Sequence, residues 1–302
     1  MTALLCVGVL VLDVIFLVDE LPSGGEKMLG HGMSEAIGGP AAIGGLAAVR
    51  LGGQASLLSR VGDDRVGTTI LEGFRQAGLD TSAVEIVPGA TSSFSAVAVD
   101  PNGERQIVNY TDPRLHAEAP RSIPAVDPFD AVLVDTIYPM AAIPALEAAK
   151  RRGIPGVVDF DVNPRSGCGE ILSLASHVAF SRQGLRSLTS LEDPEAGLRA
   201  VASRHGNWVG VTLGENGVMW LEGSSAHHLP AFQVDVVDTL GAGDVFHGGF
   251  AYGLASGQSV VDALRLGAAA AAVKCTRKGG GPGAPTRVEV DAFLSADRSS
   301  RT

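Results

Sequence analysis

Val236-Val237-Asp238-Thr239-Leu240-Gly241-Ala242-Gly243-Asp244-Val245-Phe246-His247-Gly248-Gly249-Phe250 is the run on which the fold turns. Gln233 to Val237 reads as a strand, Gly241-Ala242-Gly243 as a tight turn, and Val245 to Ser256 as a helix. A strand that enters a glycine turn and leaves as a helix gathers free N–H groups and the positive end of the helix dipole at one point. Phosphate oxygens are attracted there. Asp244 occupies the same point, where a carboxylate can take a proton from an alcohol while the amides neutralise a transferring phosphoryl group. The plain alternative is an Asp that merely caps a core helix.

To the N-terminal side, Leu4 to Leu12 has no polar alternation and is too short for a core helix, which predicts one strand buried on both faces and ending at Asp13. Open α/β sheets place ligand-binding side chains at such strand ends, so Asp13 is a candidate ligand contact, against a carboxylate that simply meets solvent. Gly38-Gly39-Pro40 predicts a turn into a small-residue helix from Ala41 to Leu51, with Gly38 and Gly39 allowing close backbone approach. Ala55 to Arg60 is a predicted strand, Val66 to Gly78 a helix, and Ser93 to Asp100 with Gln106 to Tyr110 a hairpin.

From Phe129 onward strands and helices alternate: strands at 131–134, 156–159, 178–180, 208–212 and 218–221, and helices at 141–152, 245–256 and 260–275. This predicts a mostly parallel sheet with helices on both faces. The organisation expected is a single α/β domain over 1–296, β accessory segments at 13–36 and 92–112 within it, and a polar tail at 297–302.

Composition limits the function classes. With 302 residues, 45% hydrophobic and 19% charged, the chain is long enough for a large core and too apolar for disorder. Its 39 glycines follow no three-residue period, which excludes a collagen-like chain. A net charge of −10 argues against a nucleic-acid partner. The longest apolar stretch, Ala3 to Leu12, is far short of a membrane span and follows no basic segment, so a cytoplasmic protein without a membrane partner is expected. Cys6, Cys168 and Cys275 share no metal-ligand spacing.

The Asp-Thr-x-Gly-Ala-Gly-Asp run resembles the C-terminal signature of the PfkB (ribokinase-like) carbohydrate kinases. Further matches are Gly38-Gly39-Pro40, Val61-Gly62-Asp63-Asp64 with Gly67, Thr212-Leu213-Gly214-Glu215-Asn216-Gly217 and Lys274-Cys275-Thr276-Arg277-Lys278-Gly279-Gly280. The resemblance implies a three-layer α/β/α ribokinase-like fold with a small β-sheet lid, and ATP with Mg²⁺ as cofactors. It makes Asp244 the catalytic base, Gly241, Ala242 and Gly243 the anion hole, and Asp13, Gly38 and Gly39 the sugar contacts. It gives Thr212, Gly214 and Gly217 to the nucleotide. Lys274 either lines the adenine or caps its helix. A monovalent cation such as K⁺ near Asp238 and a homodimer through the lid are also implied.

Within that family the motifs resemble the 6-deoxy-6-sulfofructose kinase branch through Gly38 to Ala42, Phe180-Ser181-x-x-Gly184-Leu185, Val234 to Gly248 and Lys274 to Arg277. A sulfonate asks for ammonium or amide donors, which Lys27 and Asn109 would supply; their plain readings are a solvated lysine and an exposed strand residue. The chain departs from the pattern in three places. Ala42 stands where many sugar kinases have Asn, Ser181-Arg182-Gln183-Gly184 where they have Asn-x-x-Glu, and Asp135-Thr136-Ile137-Tyr138 lacks the arginine that sulfofructose kinases carry.

No Walker loop is present, and Gly279 to Ala284 follows a helix rather than a strand, which does not support a dinucleotide site. His227-His228 and His247 lack metal-ligand spacing, and no Gly-x-Ser-x-Gly suggests a hydrolase. The expected function is transfer of the ATP γ-phosphoryl group to a primary hydroxyl of a ketose-like sugar, with 6-deoxy-6-sulfofructose as one candidate. Alternatives are a neutral-sugar kinase of fructokinase or ribokinase type, a nucleoside kinase of the same fold, and a non-catalytic sugar sensor.

Overall fold

The first part of the chain forms strands β1 (Ala3–Val7), β2 (Val11–Leu17) and β3 (Gly32–Gly38), helix α1 (Pro40–Arg50), strand β4 (Gln54–Gly62) and helix α2 (Arg65–Gln76). Strands β5 (Val84–Val87), β6 (Ser93–Val99) and β7 (Arg105–Tyr110) follow. The second part alternates: β8 (Ala131–Asp135), α3 (Pro139–Arg152), β9 (Gly156–Phe160), α4 (Cys168–Leu174), β10 (His177–Ser181), α5 (Arg182–Thr189), α6 (Pro194–His205) and β11 (Trp208–Thr212). It ends with β12 (Val218–Glu222), β13 (Ser225–Leu229), α7 (Ala242–Ala255), α8 (Val260–Cys275) and α9 (Arg287–Ser300). This computed structural model describes residues 1–25, 27–124, 127–161 and 168–300, with side chains through Asp297.

The main sheet has the order β13-β12-β11-β10-β9-β8-β1-β4-β5, parallel from β11 to β5 and antiparallel where β12 and β13 are added. All five β1 side chains are buried, and they alternate between two cores. Leu4 and Cys6 join α1, α2, α7 and α8 on one face, whereas Leu5 and Val7 join α3 to α6 on the other. Three layers, α/β/α, result, as the alternation predicted. A second sheet, β3-β2-β6-β7, stands apart from the first.

Two predicted strands differ from the structure. The apolar run Leu4 to Leu12 is two strands in two sheets, because the chain turns at Gly8 beside Asp135. A Cβ at Gly8 would land on the Asp135 carboxylate, and that carboxylate accepts from Val9 N at 2.9 Å and Ile137 N at 2.9 Å. Gln233 to Val237 is not a strand; Val237 N and Asp238 N instead donate to Cys275 O at 2.8 and 3.1 Å, which lays the segment against the end of α8. The neighbouring strand is β13, which contains His227 and His228. Helix α9 continues through Ser300, beyond Ala296.

Helices α1 and α7 meet through glycines. A Cβ at Gly248 would land on the Gly44 carbonyl, and one at Gly44 on the Leu133 side chain. This contact packs the middle of α7 against the middle of α1, over Leu133 of β8. Among the described residues no helix is long and apolar enough to cross a membrane.

Candidate active site

The carboxyl ends of the parallel strands carry Asp135, Asp159, Ser181 and Thr212, the edge at which open α/β sheets bind ligands. Asp244 comes to the same place from the first turn of α7, whose N-cap is Gly241 at φ 75°. Its carboxylate accepts no hydrogen bond from any described residue. Burial pushes it up to about 7, with the charges of Asp159, Asp161 and Asp13 adding to the rise and His247 opposing it. An ionisable oxygen open to a ligand and placed in a negative field is suited to receiving a proton.

The amides before it divide unequally. Gly243 N and Asp244 N have no acceptor among the described residues, and a Cβ on Gly243 would meet nothing within 4 Å. Ala242 N, in contrast, donates to Thr239 O at 3.2 Å. The open donors are Gly241, Gly243 and Asp244, consistent with a helix start that lacks intrahelical partners.

Asp13 lies on β2 opposite Ser95, which in turn lies opposite Asn109 on β7. Asn109 Nδ2 donates to Ser95 Oγ at 3.0 Å, and Ser95 is bonded to Asp13. Burial raises the Asp13 carboxyl and the Ser95 bond offsets part of the rise. Gly38 flanks this row, since a Cβ there would stand 2.5 Å from Asp13 Oδ2. Gly39 has φ 117°, and a Cβ there would land on the Val9 carbonyl, so only glycine passes so close. The structure therefore brings Asp13, Gly38, Gly39 and Asn109 together, and the Asp13 charge acts on Asp244. Lys27 lies exposed between β2 and β3, with no described bond to this row.

Below Asp244 lies a buried pair absent from the predicted site. His247 Nδ1 is 2.9 Å from Asp159 Oδ2, and its Nε2 is 3.2 Å from Ala179 O. Burial alone would lower the imidazole, but the Asp159 and Asp244 charges outweigh it and the group is raised. The helical step from Asp244 to His247 is legible in the sequence, whereas Asp159, 88 positions earlier, is not.

A family model for pfkB family carbohydrate kinases matches residues 1–287. The chain belongs to the PfkB carbohydrate kinases. It is a phosphotransferase with an alcohol acceptor, and its kind of enzyme uses ATP. It is 30% identical to ribokinase of Bacillus subtilis over 96% of this chain and 98% of that protein. A candidate ribokinase from Agrobacterium tumefaciens superposes with a TM-score of 0.93 at 39% identity, covering 98% of this chain and 99% of the other. Arabidopsis thaliana ribokinase complexed with ribose and ATP gives 0.83 at 25% identity, covering 97% and 98%.

In this PfkB kinase β11 ends at Thr212 and the loop after it holds Gly214 and Gly217. Gly214 and Gly217 have φ of 60° and 86°, and a Cβ at Gly217 would land on the Leu229 carbonyl, so the loop shape depends on them. Thr212 Oγ1 donates to Phe180 O at 3.3 Å. Ser181, where the family pattern has Asn, caps α5 through Gly184 N at 2.8 Å and donates to Asp161 Oδ1 at 2.7 Å. Tyr138, beside the missing arginine, is fully buried with its hydroxyl on Glu118 O at 2.9 Å. His228 Nε2 lies 2.6 Å from Asn216 O and His227 stacks on Trp220, which accounts for both without a metal.

Lys274 does not reach open nucleotide space. Its ammonium is fully buried, donates to Asp238 O at 2.7 Å, and lies 3.4 Å from Asp238 Oδ2. The Asp238 carboxylate accepts from Leu240 N at 2.8 Å, Gly280 N at 3.1 Å and Gly279 N at 3.2 Å. Burial alone would raise that carboxyl; the amide bonds and the Lys274 charge outweigh it and hold it below the usual range.

Proposed function

We propose that this enzyme moves the γ-phosphoryl group of ATP to a primary hydroxyl of a ketose-like sugar held on the Asp13 row. The observation that carries the reading is that the Asp244 carboxylate, free of described protein donors, stands in the first turn of α7 beside the unpaired amides of Gly243 and Asp244. A sugar whose hydroxyls bond to Asp13 would present another part of its ring to Asp244. The hydroxyl donates its proton to the Asp244 carboxylate, its oxygen bonds to the γ-phosphorus, and the bond to the β-γ bridging oxygen breaks to release ADP. Gly241, Gly243 and Asp244 amides would stabilise the charge on the transferring group.

Mg²⁺ would arrive on the nucleotide phosphates, where it keeps several waters and needs only one or two carboxylates. Exposed Asp161, already in the field of Asp244, is the protein group suited to that water shell. The ion supplies charge neutralisation on the phosphates. Thr212, Gly214 and Gly217 would line the nucleotide side. The second sheet would act as a lid that excludes water. Its face away from Asp13 exposes Phe16, Met33, Val108 and Tyr110, and we propose that a second copy of the chain covers it.

The sugar is chosen by the end opposite the reacting hydroxyl. Lys27 and Asn109 would meet a sulfonate, which favours 6-deoxy-6-sulfofructose. The Asn109 amide, already shared with Ser95, and the ribokinase relatives favour a neutral sugar instead. ADP formation with Mg²⁺ over sulfofructose, fructose 6-phosphate, fructose, ribose and adenosine tests both. Turnover confined to sulfofructose supports the anion donors, preference for fructose or ribose rejects them while keeping the kinase, and preference for adenosine replaces the sugar reading. Binding without ADP release from any of the five would indicate a sensor.

A further inference from the structure

The resemblance to PfkB kinases implies a monovalent ion held by carbonyls near Asp238, yet the residues there already contain a cation of their own. The Asp238 carbonyl oxygen accepts from Lys274 Nζ at 2.7 Å, and the same ammonium lies 3.4 Å from Asp238 Oδ2. Lys274 has no exposed surface. The other acceptor positions of the carboxylate are taken by amides of Leu240, Gly279 and Gly280. An alkali ion on the Asp238 carbonyl would sit at contact distance from an ammonium in a buried setting, where like charges repel most strongly.

We infer that Lys274 is the resident cation of the Asp238 loop, so that this enzyme organises its anion hole without a dissociable monovalent ion. The chain of contacts is short. Lys274, on the last turn of α8, fixes Asp238; Asp238 clamps Leu240 and the Gly279-Gly280 run; and that run packs on Gly241, where a Cβ would come within 2.7 Å of Gly281 N. Gly241 caps the helix that presents Asp244. Lys274 is thus a positioning residue, acting on the anion hole through Asp238. An exchangeable ion would leave this loop dependent on salt composition; a tethered ammonium does not.

The activity part of this inference rests on the proposed sugar-kinase reading, whereas its ion-binding part does not. The test is thermal unfolding of the wild type and of Lys274→Ala at constant ionic strength, with KCl exchanged for tetramethylammonium chloride, alongside turnover of the preferred sugar. For the wild type, midpoints should agree within about 1 °C, because no site gains a ligand. Turnover should agree within about twofold. A saturable, K⁺-specific rise in the wild-type midpoint, or activation of about tenfold or more, would overturn the inference.

Lys274→Ala vacates a pocket beside the Asp238 carbonyl. Its turnover should fall about tenfold or more in tetramethylammonium and recover with K⁺ or ammonium, with a saturable rise in midpoint. Undiminished turnover without K⁺ in that variant would also overturn it. Lys274→Met fills the space without the charge and should show the loss without ionic rescue. If Lys274→Ala does not fold, the wild-type ion titration still decides. Absence of turnover on every sugar would refute the kinase reading, and the midpoint titrations would still decide the role of Lys274.

Discussion

The Nδ1 of His247, one helical turn along α7 from Asp244, stands 2.9 Å from Oδ2 of Asp159 at the end of β9, with both side chains buried. The pair puts an imidazole whose basicity is raised by neighbouring carboxylate charge between Asp159 and Asp244. Its field counters the repulsion that Asp159 and Asp161 exert on Asp244. Asp244 is thereby held near neutrality instead of being driven higher.

Replacing Asp244 by Asn should reduce kcat by roughly 100- to 10,000-fold, the usual contribution of a positioned acid or base. The unfolding midpoint should stay level or rise, because the amide removes a desolvated charge repelled by its neighbours. ADP release and thermal unfolding of the same preparation check both. A variant with nearly normal kcat excludes Asp244 as the base.

The pH profile follows from the same carboxylate. It is raised to about 7 and acts when ionised, so kcat/KM should fall as pH drops below about 7 and level off above it. His247 lowers the Asp244 carboxyl, so His247→Asn should move this limb to higher pH. Asp159→Asn should move it lower. Steady-state kinetics from pH 5.5 to 9 measures the limb, and a profile unmoved by either substitution contradicts the coupling.

Gly248→Ala should destabilise by roughly 1–3 kcal/mol, the range for overpacking a tight contact. The added methyl would meet the Gly44 backbone, which cannot rotate away as a side chain could. Since α7 must shift to make room, kcat should fall as well, although residue 248 touches neither proposed substrate. Urea unfolding and kcat, measured on one sample, distinguish this from a local surface change.

Asp64 caps α2 through Gly67 N at 2.7 Å and also holds Ser92 N at 2.8 Å and Ser92 Oγ at 2.7 Å at the root of β6. Asp64→Ala should cost about 2 kcal/mol, the upper part of the range for a cap, because two elements lose their shared acceptor. Denaturant unfolding reads the loss. A change within a few tenths of a kcal/mol would show that the bonds are replaced by water.

Much of this architecture was legible because local patterns carry it. The small-residue helix after Gly39, the alternation after Phe129 and the Gly241 turn each announce their element through residues close in sequence. Where the reading failed, distant partners decided. Gly8 breaks an otherwise continuous apolar run because Asp135, far along the chain, occupies the space a side chain would need. Gln233 to Val237 has strand-like composition, but Cys275 O takes the amides of Val237 and Asp238. Asp244 could be found from its motif, whereas the Asp159-His247 pair required the fold. For Lys274 the sequence left adenine lining and helix capping both open, and only the fold brings its ammonium onto Asp238.

The passage from β1 to β2 takes only Gly8, Val9 and Leu10, and Val9 is tied to Asp135 while Gly39 crosses directly over it. The second sheet therefore has no slack at its root. It is fastened three residues from a strand whose side chains are all buried in the core. If the second sheet acts as the proposed lid, a tilt that seals the site would also displace Asp13, so gripping the sugar and shutting out water would become a single mechanical event.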